Sequence, residues 1–109
     1  MATKTIVTKQ HDTRITFTDT PTIDGVAVPP SDFAGATLAF LLKSSDGTIA
    51  LKQPATINPD GTFAYTPVPS DVSQTGKFSQ EWEVTYPGNK ILTFPNNGYN
   101  LVKIIADLG

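Results

Sequence analysis

The stretch Gly76-Lys77-Phe78-Ser79-Gln80-Glu81-Trp82-Glu83-Val84-Thr85-Tyr86 alternates with a period of two. Phe78, Gln80, Trp82, Val84 and Tyr86 fall on one face; Ser79, Glu81, Glu83 and Thr85 fall on the other. Successive side chains of a β-strand point to opposite faces, so this is the pattern of a half-buried strand. Elsewhere no apolar period near 3.6 persists for three turns, Thr is frequent, and Pro and Gly are scattered throughout. Short apolar runs separated by turn residues predict a β-sandwich or barrel.

The remaining segments extend that reading. Residues 3–9 form a thin, Thr-rich strand with Ile6 and Val7 on opposite faces. Residues 14–18 offer Ile15 and Phe17 inward, and a turn region runs from Asp24-Gly25 to Pro29-Pro30. In residues 36–43, Leu38, Phe40 and Leu42 share one face while Ala39 and Leu41 occupy the other, as in a central strand covered on both sides. Asp46-Gly47 predicts a hairpin turn into residues 48–52, and residues 55–58 continue after Pro54. Asp60-Gly61 predicts a second tight turn, with Phe63 and Tyr65 inward on the strand that follows. Residues 67–75 read as an irregular crossing with one helical turn near Ser70-Asp71. Tyr86-Pro87-Gly88-Asn89 closes a hairpin between Val84 and Ile91, leading to a short strand at residues 90–94. Asn96-Asn97-Gly98 is a further turn, and residues 99–105 are the last strand. Trp82, Phe78, Phe40, Phe63 and Leu38 are the predicted core.

A chain of 109 residues is long enough to bury a core without disulfides or metal, and it contains no cysteine. The net charge is −2, with acids and bases interspersed, which predicts neither a nucleic-acid nor a membrane partner. The first residues contain no apolar run of the secretory type, so a cytoplasmic site of synthesis is expected.

Catalytic chemistry finds little support. The single histidine, His11, precedes Asp12 in a stretch between two expected strands and reads as a solvated linker pair. Glu81 and Glu83 share a strand face about 7 Å apart, which would suit acid–base work, but an open strand face gives no cleft to separate their pKa values. Asp19, Asp24, Asp32, Asp46 and Asp60 lack the clustered spacing of a calcium loop. No catalytic residue, cofactor or metal ligand is therefore assigned. Glu81 and Glu83 are read instead as a solvated or partner-facing surface.

Asp71, Gly76 and Phe78 form an Asp-x-x-x-x-Gly-x-Phe corner before the alternating strand, like the corner of immunoglobulin-like sandwiches, with Phe78 in place of the usual Tyr. Further signature pieces are Gly35-Ala36-Thr37-Leu38-Ala39-Phe40-Leu41-Leu42, Asp46-Gly47-Thr48, and Asp60-Gly61-Thr62-Phe63-Ala64-Tyr65. They end in Glu81-Trp82-Glu83-Val84-Thr85-Tyr86, Gly88-Asn89-Lys90 and Thr93-Phe94-Pro95-Asn96-Asn97-Gly98-Tyr99. Together, over about residues 15–109, they resemble a family of small bacteriophage virion domains related to the N-terminal domain of baseplate upper proteins.

The resemblance implies an all-β fold, an immunoglobulin-like antiparallel β-sandwich of about seven to nine strands. It implies a non-enzymatic virion structural protein, made in the host cytoplasm, that binds other virion proteins: capsid, neck or tail subunits. Its position (capsid decoration, neck, tail or baseplate) is left open. A homo-oligomer on the particle is expected, because virion positions are symmetric. Residues 1–11 are expected to be an N-terminal arm or first edge strand, and residues 12–109 the sandwich, a free-standing module. Thr3, Lys4, Thr5, Ile6, Val7, Thr8 and Lys9 are the candidate arm for pairing with a neighbouring subunit, equally readable as the sandwich's own first strand. A carbohydrate-binding or cell-surface attachment module is the alternative, and it requires an exposed aromatic platform.

Overall fold

The computed structural model describes residues 2–12, 14, 16–48, 50–95 and 98–106, with the side chains of Ala2 and Thr3 left aside. Ten strands occur among them: β1 Ala2–Lys9, β2 Phe17–Asp19, β3 Thr22–Ile23, β4 Val26–Ala27, β5 Thr37–Ser44, β6 Ala50–Ile57, β7 Phe63–Tyr65, β8 Gly76–Tyr86, β9 Lys90–Phe94 and β10 Tyr99–Ile105. Eight of them build one curled sheet in the order β1-β10-β8-β5-β6-β7-β2, with β9 also on β8. The expected all-β sandwich is present, with one departure from antiparallel pairing. β1 runs parallel to β10, from Thr5 opposite Leu101 to Lys9 opposite Ile105.

β8 is the central strand. β5 lies antiparallel along one side, from Thr37 opposite Thr85 to Ser44 opposite Phe78. The other side is divided between β10, opposite residues 76–80, and β9, opposite residues 82–86. The sheet bends at β6, whose first residues pair with β5 while Thr56 and Ile57 pair with β7. That bend lays β7 and β2 over the inner face of β5 and β8. Phe17 of β2 then packs on Phe40 at 5.0 Å between ring centroids, Tyr65 stacks on Phe40 at 4.4 Å, and Phe63 meets Trp82 at 5.6 Å.

All five predicted core residues are buried, and Phe17, Val28, Phe33, Leu42, Val72, Val84, Phe94, Val102 and Ile104 complete the cluster. Several local expectations change. The segments expected on either side of Pro54 are one strand, β6. Along residues 50–55 β6 has a neighbour on one side only, so a proline there costs no ladder bond. The strand expected at residues 14–18 is the shorter β2, and Ile15 lies outside the described residues. So do Asn96 and Asn97 of the expected turn. The region from Asp24 to Pro30 holds the β3/β4 hairpin and leads into a 3-10 turn at Pro30–Phe33. Asp24 and Gly25 have φ of 53° and 80°, the left-handed pair that a two-residue hairpin turn demands. The hairpin expected at Tyr86-Pro87-Gly88-Asn89 joins β8 to β9 and closes at Tyr86 opposite Lys90.

A helical turn does form at Pro69–Val72. The corner carboxylate of Asp71 accepts hydrogen bonds from the Tyr65 hydroxyl and the Val68 N–H. Phe78 has no hydroxyl to give, and Tyr65, from a different strand, supplies it. Burial and the adjacent Asp71 carboxylate push the Tyr65 phenol up.

Among the described residues three polar side chains point into the apolar interior: Thr8, Gln80 and Asn100. Two of them belong to a connected network centred on Asp19. Asn100 Nδ2 donates to Gln80 Oε1 at 2.8 Å and to Asp19 Oδ2 at 3.0 Å. Trp82 Nε1 donates to the same Asp19 oxygen at 3.2 Å. The other oxygen, Oδ1, accepts from Thr20 N at 2.9 Å and lies 3.5 Å from Lys4 Nζ. Lys4 Nζ also donates to the Thr18 carbonyl at 2.7 Å. The two end strands of the curled sheet, β1 and β2, are thus joined by a lysine.

Candidate functional site

The period-two rule places the odd-numbered residues of β1, β8 and β10 on the outer face of the sheet. Thr5, Val7 and Lys9 stand there on β1, beside Leu101, Lys103 and Ile105 of β10. Lys103 is directly opposite Lys77 of β8. Val7 is 59% exposed and Ile105 45% exposed, so two aliphatic side chains sit in water among Lys9, Lys77 and Lys103. Directly opposed like charges are unfavourable in an isolated sheet. Among the described residues the only ion pairs are Lys4–Asp19 and Lys52–Glu83, so these three lysines have none. Charges interspersed in the sequence are brought together at one edge by the parallel docking of β1. That edge is the outer side of the last strand in the sheet, and no strand among the described residues pairs with it.

The candidate arm therefore divides by face. Lys4, Ile6 and Thr8 turn inward, with Ile6 opposite Val102 and Thr8 opposite Ile104; Thr5, Val7 and Lys9 turn outward. Thr3 contributes backbone to the strand, and its side chain lies outside the described residues. Thr8 is 5% exposed, and its Oγ1 has no hydrogen-bond partner among the described residues.

Glu81 and Glu83 lie on the same outer face, further along β8. Glu81 stands opposite Leu41, and Glu83 stands between Ala39 and Thr93. Glu83 Oε1 is 2.9 Å from Lys52 Nζ. Both carboxylates are half-buried rather than fully solvated. Burial beside Leu41 pushes the Glu81 carboxyl up. A carboxyl with a raised folded pKa contributes stability at low pH that is lost as pH rises through that pKa. Glu81→Gln, neutral throughout, is therefore expected to gain on the parent chain between about pH 4 and about pH 7. Thermal melts at the two pH values check this; an equal difference at both contradicts it.

The remaining sequence candidates have structural occupations. Asp46 accepts from Thr48 N, Thr48 Oγ1 and Ser44 Oγ, which hold its carboxyl at about 2. Asp60 accepts from Thr62 N and Oγ1 in the next turn. Asp12 Oδ1 accepts from Arg14 N at 3.3 Å, while His11 donates its backbone N–H to the Val72 carbonyl. Among the described residues no three acidic or histidine side chains converge as metal ligands would. All ten aromatic residues are buried or half-buried, with Trp82 at 1% exposure, so the described surface has no aromatic platform.

Two features escaped sequence reasoning. The Lys77–Lys103 pair depends on which strands are neighbours. The Gln80–Asn100 pair did leave a trace: Gln80 alternates in phase with Phe78 and Trp82, and Asn100 with Val102 and Ile104. Two amides in the inward phase of two strands mark a buried partnership. No protein-family model matches the chain, and no curated protein matches it.

Proposed function

We propose that this protein is a non-enzymatic bacteriophage virion structural protein that binds other virion proteins through the edge formed by β1 and β10. The observation that carries the binding role is the exposed Val7 and Ile105 set among three lysines without ion pairs. Apolar side chains rimmed by unpaired charge of one sign fit a protein surface that offers carboxylates around an apolar centre. The aliphatic pair favours a protein partner over a phosphate backbone. The virion assignment rests on the sequence resemblance, whose Glu81-Trp82-Glu83-Val84 stretch forms the central strand β8 and whose Thr93-Phe94-Pro95 stretch ends β9. Capsid, neck, tail and baseplate positions all supply such surfaces in symmetric arrays, and copies of this chain on the particle form a homo-oligomer.

The test separates binding from folding. Val7→Glu and Ile105→Glu place charges on exposed positions, so thermal stability is expected to change by no more than about 0.5 kcal/mol each. Incorporation of the double variant into purified particles is expected to fall at least tenfold, corresponding to about 1.4 kcal/mol of binding. Incorporation at the parent level would remove this edge as the interface.

A further inference from the structure

The geometry points to β1 as an exchangeable strand: the groove along β10 accepts β1 from a second copy of this chain. This rests on the proposed assembly role and specifies its partner. Three observations carry it. First, the fit of β1 is poor. Among its described inward side chains, Lys4, Ile6 and Thr8, only Ile6 is aliphatic and it is half-buried, while the buried Thr8 hydroxyl against Ile104 has no partner among the described residues. Its ladder is parallel, the slightly weaker kind. Second, what β1 covers is strongly apolar. Val102 and Ile104 are 0% and 2% exposed, and the backbone edge of β10 beside them must be paired by some strand.

Third, the connection leaving β1 is a tight turn held in an unfavourable conformation. Asp12 N donates back to the Lys9 carbonyl at 3.2 Å, and His11 between them has φ of 60°. A non-glycine residue there is strained, and strained short hinges invite exchange of the element they tether. Opening the turn releases His11 and carries β1 away from its own β10. A second copy restores the contacts of β1 itself, including Lys4 on Thr18 and Asp19, so the swapped pair gives up only the strained turn and the His11 N–H bond to the Val72 carbonyl. The bare outer side of β1 and the exposed Val7 move with the strand and face the partner surface.

Val7 and Lys103 are cross-strand partners, and the chain has no cysteine of its own. A Val7→Cys chain is mixed with a Lys103→Cys chain at high concentration, incubated, and oxidised. Exchange is expected to give a covalent heterodimer several-fold above the yield from Val7→Cys mixed with Ile91→Cys, which reports random collision. Adding His11→Gly to both chains is expected to lower that yield by about 5- to 30-fold, the range for relieving one left-handed residue. A heterodimer yield equal to the control overturns the inference. A yield unaffected by His11→Gly overturns the turn as its cause. The assay uses the purified chain alone, so its failure leaves the particle-binding reading to the incorporation test.

Discussion

Asp19→Ala is expected to destabilise the domain by about 3 kcal/mol, because it leaves the buried Trp82 N–H without its acceptor, takes one acceptor from the buried Asn100 amide and removes the partner of Lys4. One carboxylate serves Trp82 Nε1, Asn100 Nδ2 and Thr20 N, and it faces Lys4 Nζ. For a domain of this size the loss lowers the melting midpoint by ~15 °C. Asp19→Asn keeps an acceptor oxygen and surrenders the charge, so it is expected to cost about half as much. Trp82→Phe is expected to cost less in the Asp19→Ala background than in the parent, because the indole N–H has already lost its partner. Additive costs would show that Asp19 and Trp82 do not act together.

Phe63→Ala is expected to cost about 3–5 kcal/mol, the range for deleting a fully buried aromatic ring. Phe63 is 0% exposed and packs on Phe33 at 5.4 Å, Trp82 at 5.6 Å and Phe94 at 5.8 Å. It joins the short strand β7 to the long strands of the facing layer, so the cavity cannot close without moving the sandwich. Against a net stability of about 5–15 kcal/mol this is a large fraction. Urea unfolding at constant m-value measures it. A loss below about 1.5 kcal/mol would mean that β7 and β8 are not packed as described. Val26→Ala, on the exposed β3/β4 hairpin, is expected to stay within about 0.5 kcal/mol and serves as the control.

Features written in local chemistry were legible before the fold was known. The alternation from Phe78 to Tyr86 located the central strand, and Leu38, Phe40 and Leu42 located its neighbour. Asp46-Gly47 and Asp60-Gly61 marked turns because few residues tolerate positive φ. The same signal at Asp24-Gly25 shows in the sequence only as a turn region, since Thr22-Ile23 and Val26-Ala27 are too short to show alternation. Pro54 misled because a strand interior normally excludes proline; only the bare edge of β6 makes it acceptable there.

The candidate site was less legible, because it depends on pairings between distant residues. β1 and β10 come from the two ends of the chain, and nothing in either segment announces a parallel partner. Lys9, Lys77 and Lys103 are scattered charges until β10 sits between β1 and β8. Asp19 read as one of several loop acids, and its role appears only when Trp82 and Asn100 converge on it. Glu81 and Glu83 were correctly set on the outer face, yet the Lys52 ion pair follows from β5 and β6 lying side by side, which spacing along β8 does not encode.

The proposed virion role is tested most directly by cryo-electron microscopy of purified particles of the proposed virus, with the density of this chain sought in them. Repeated copies are predicted at symmetric positions, each with Val7, Lys9, Lys103 and Ile105 against a neighbouring protein of the particle. A particle in which the chain is absent, or present with that edge facing solvent, would contradict it.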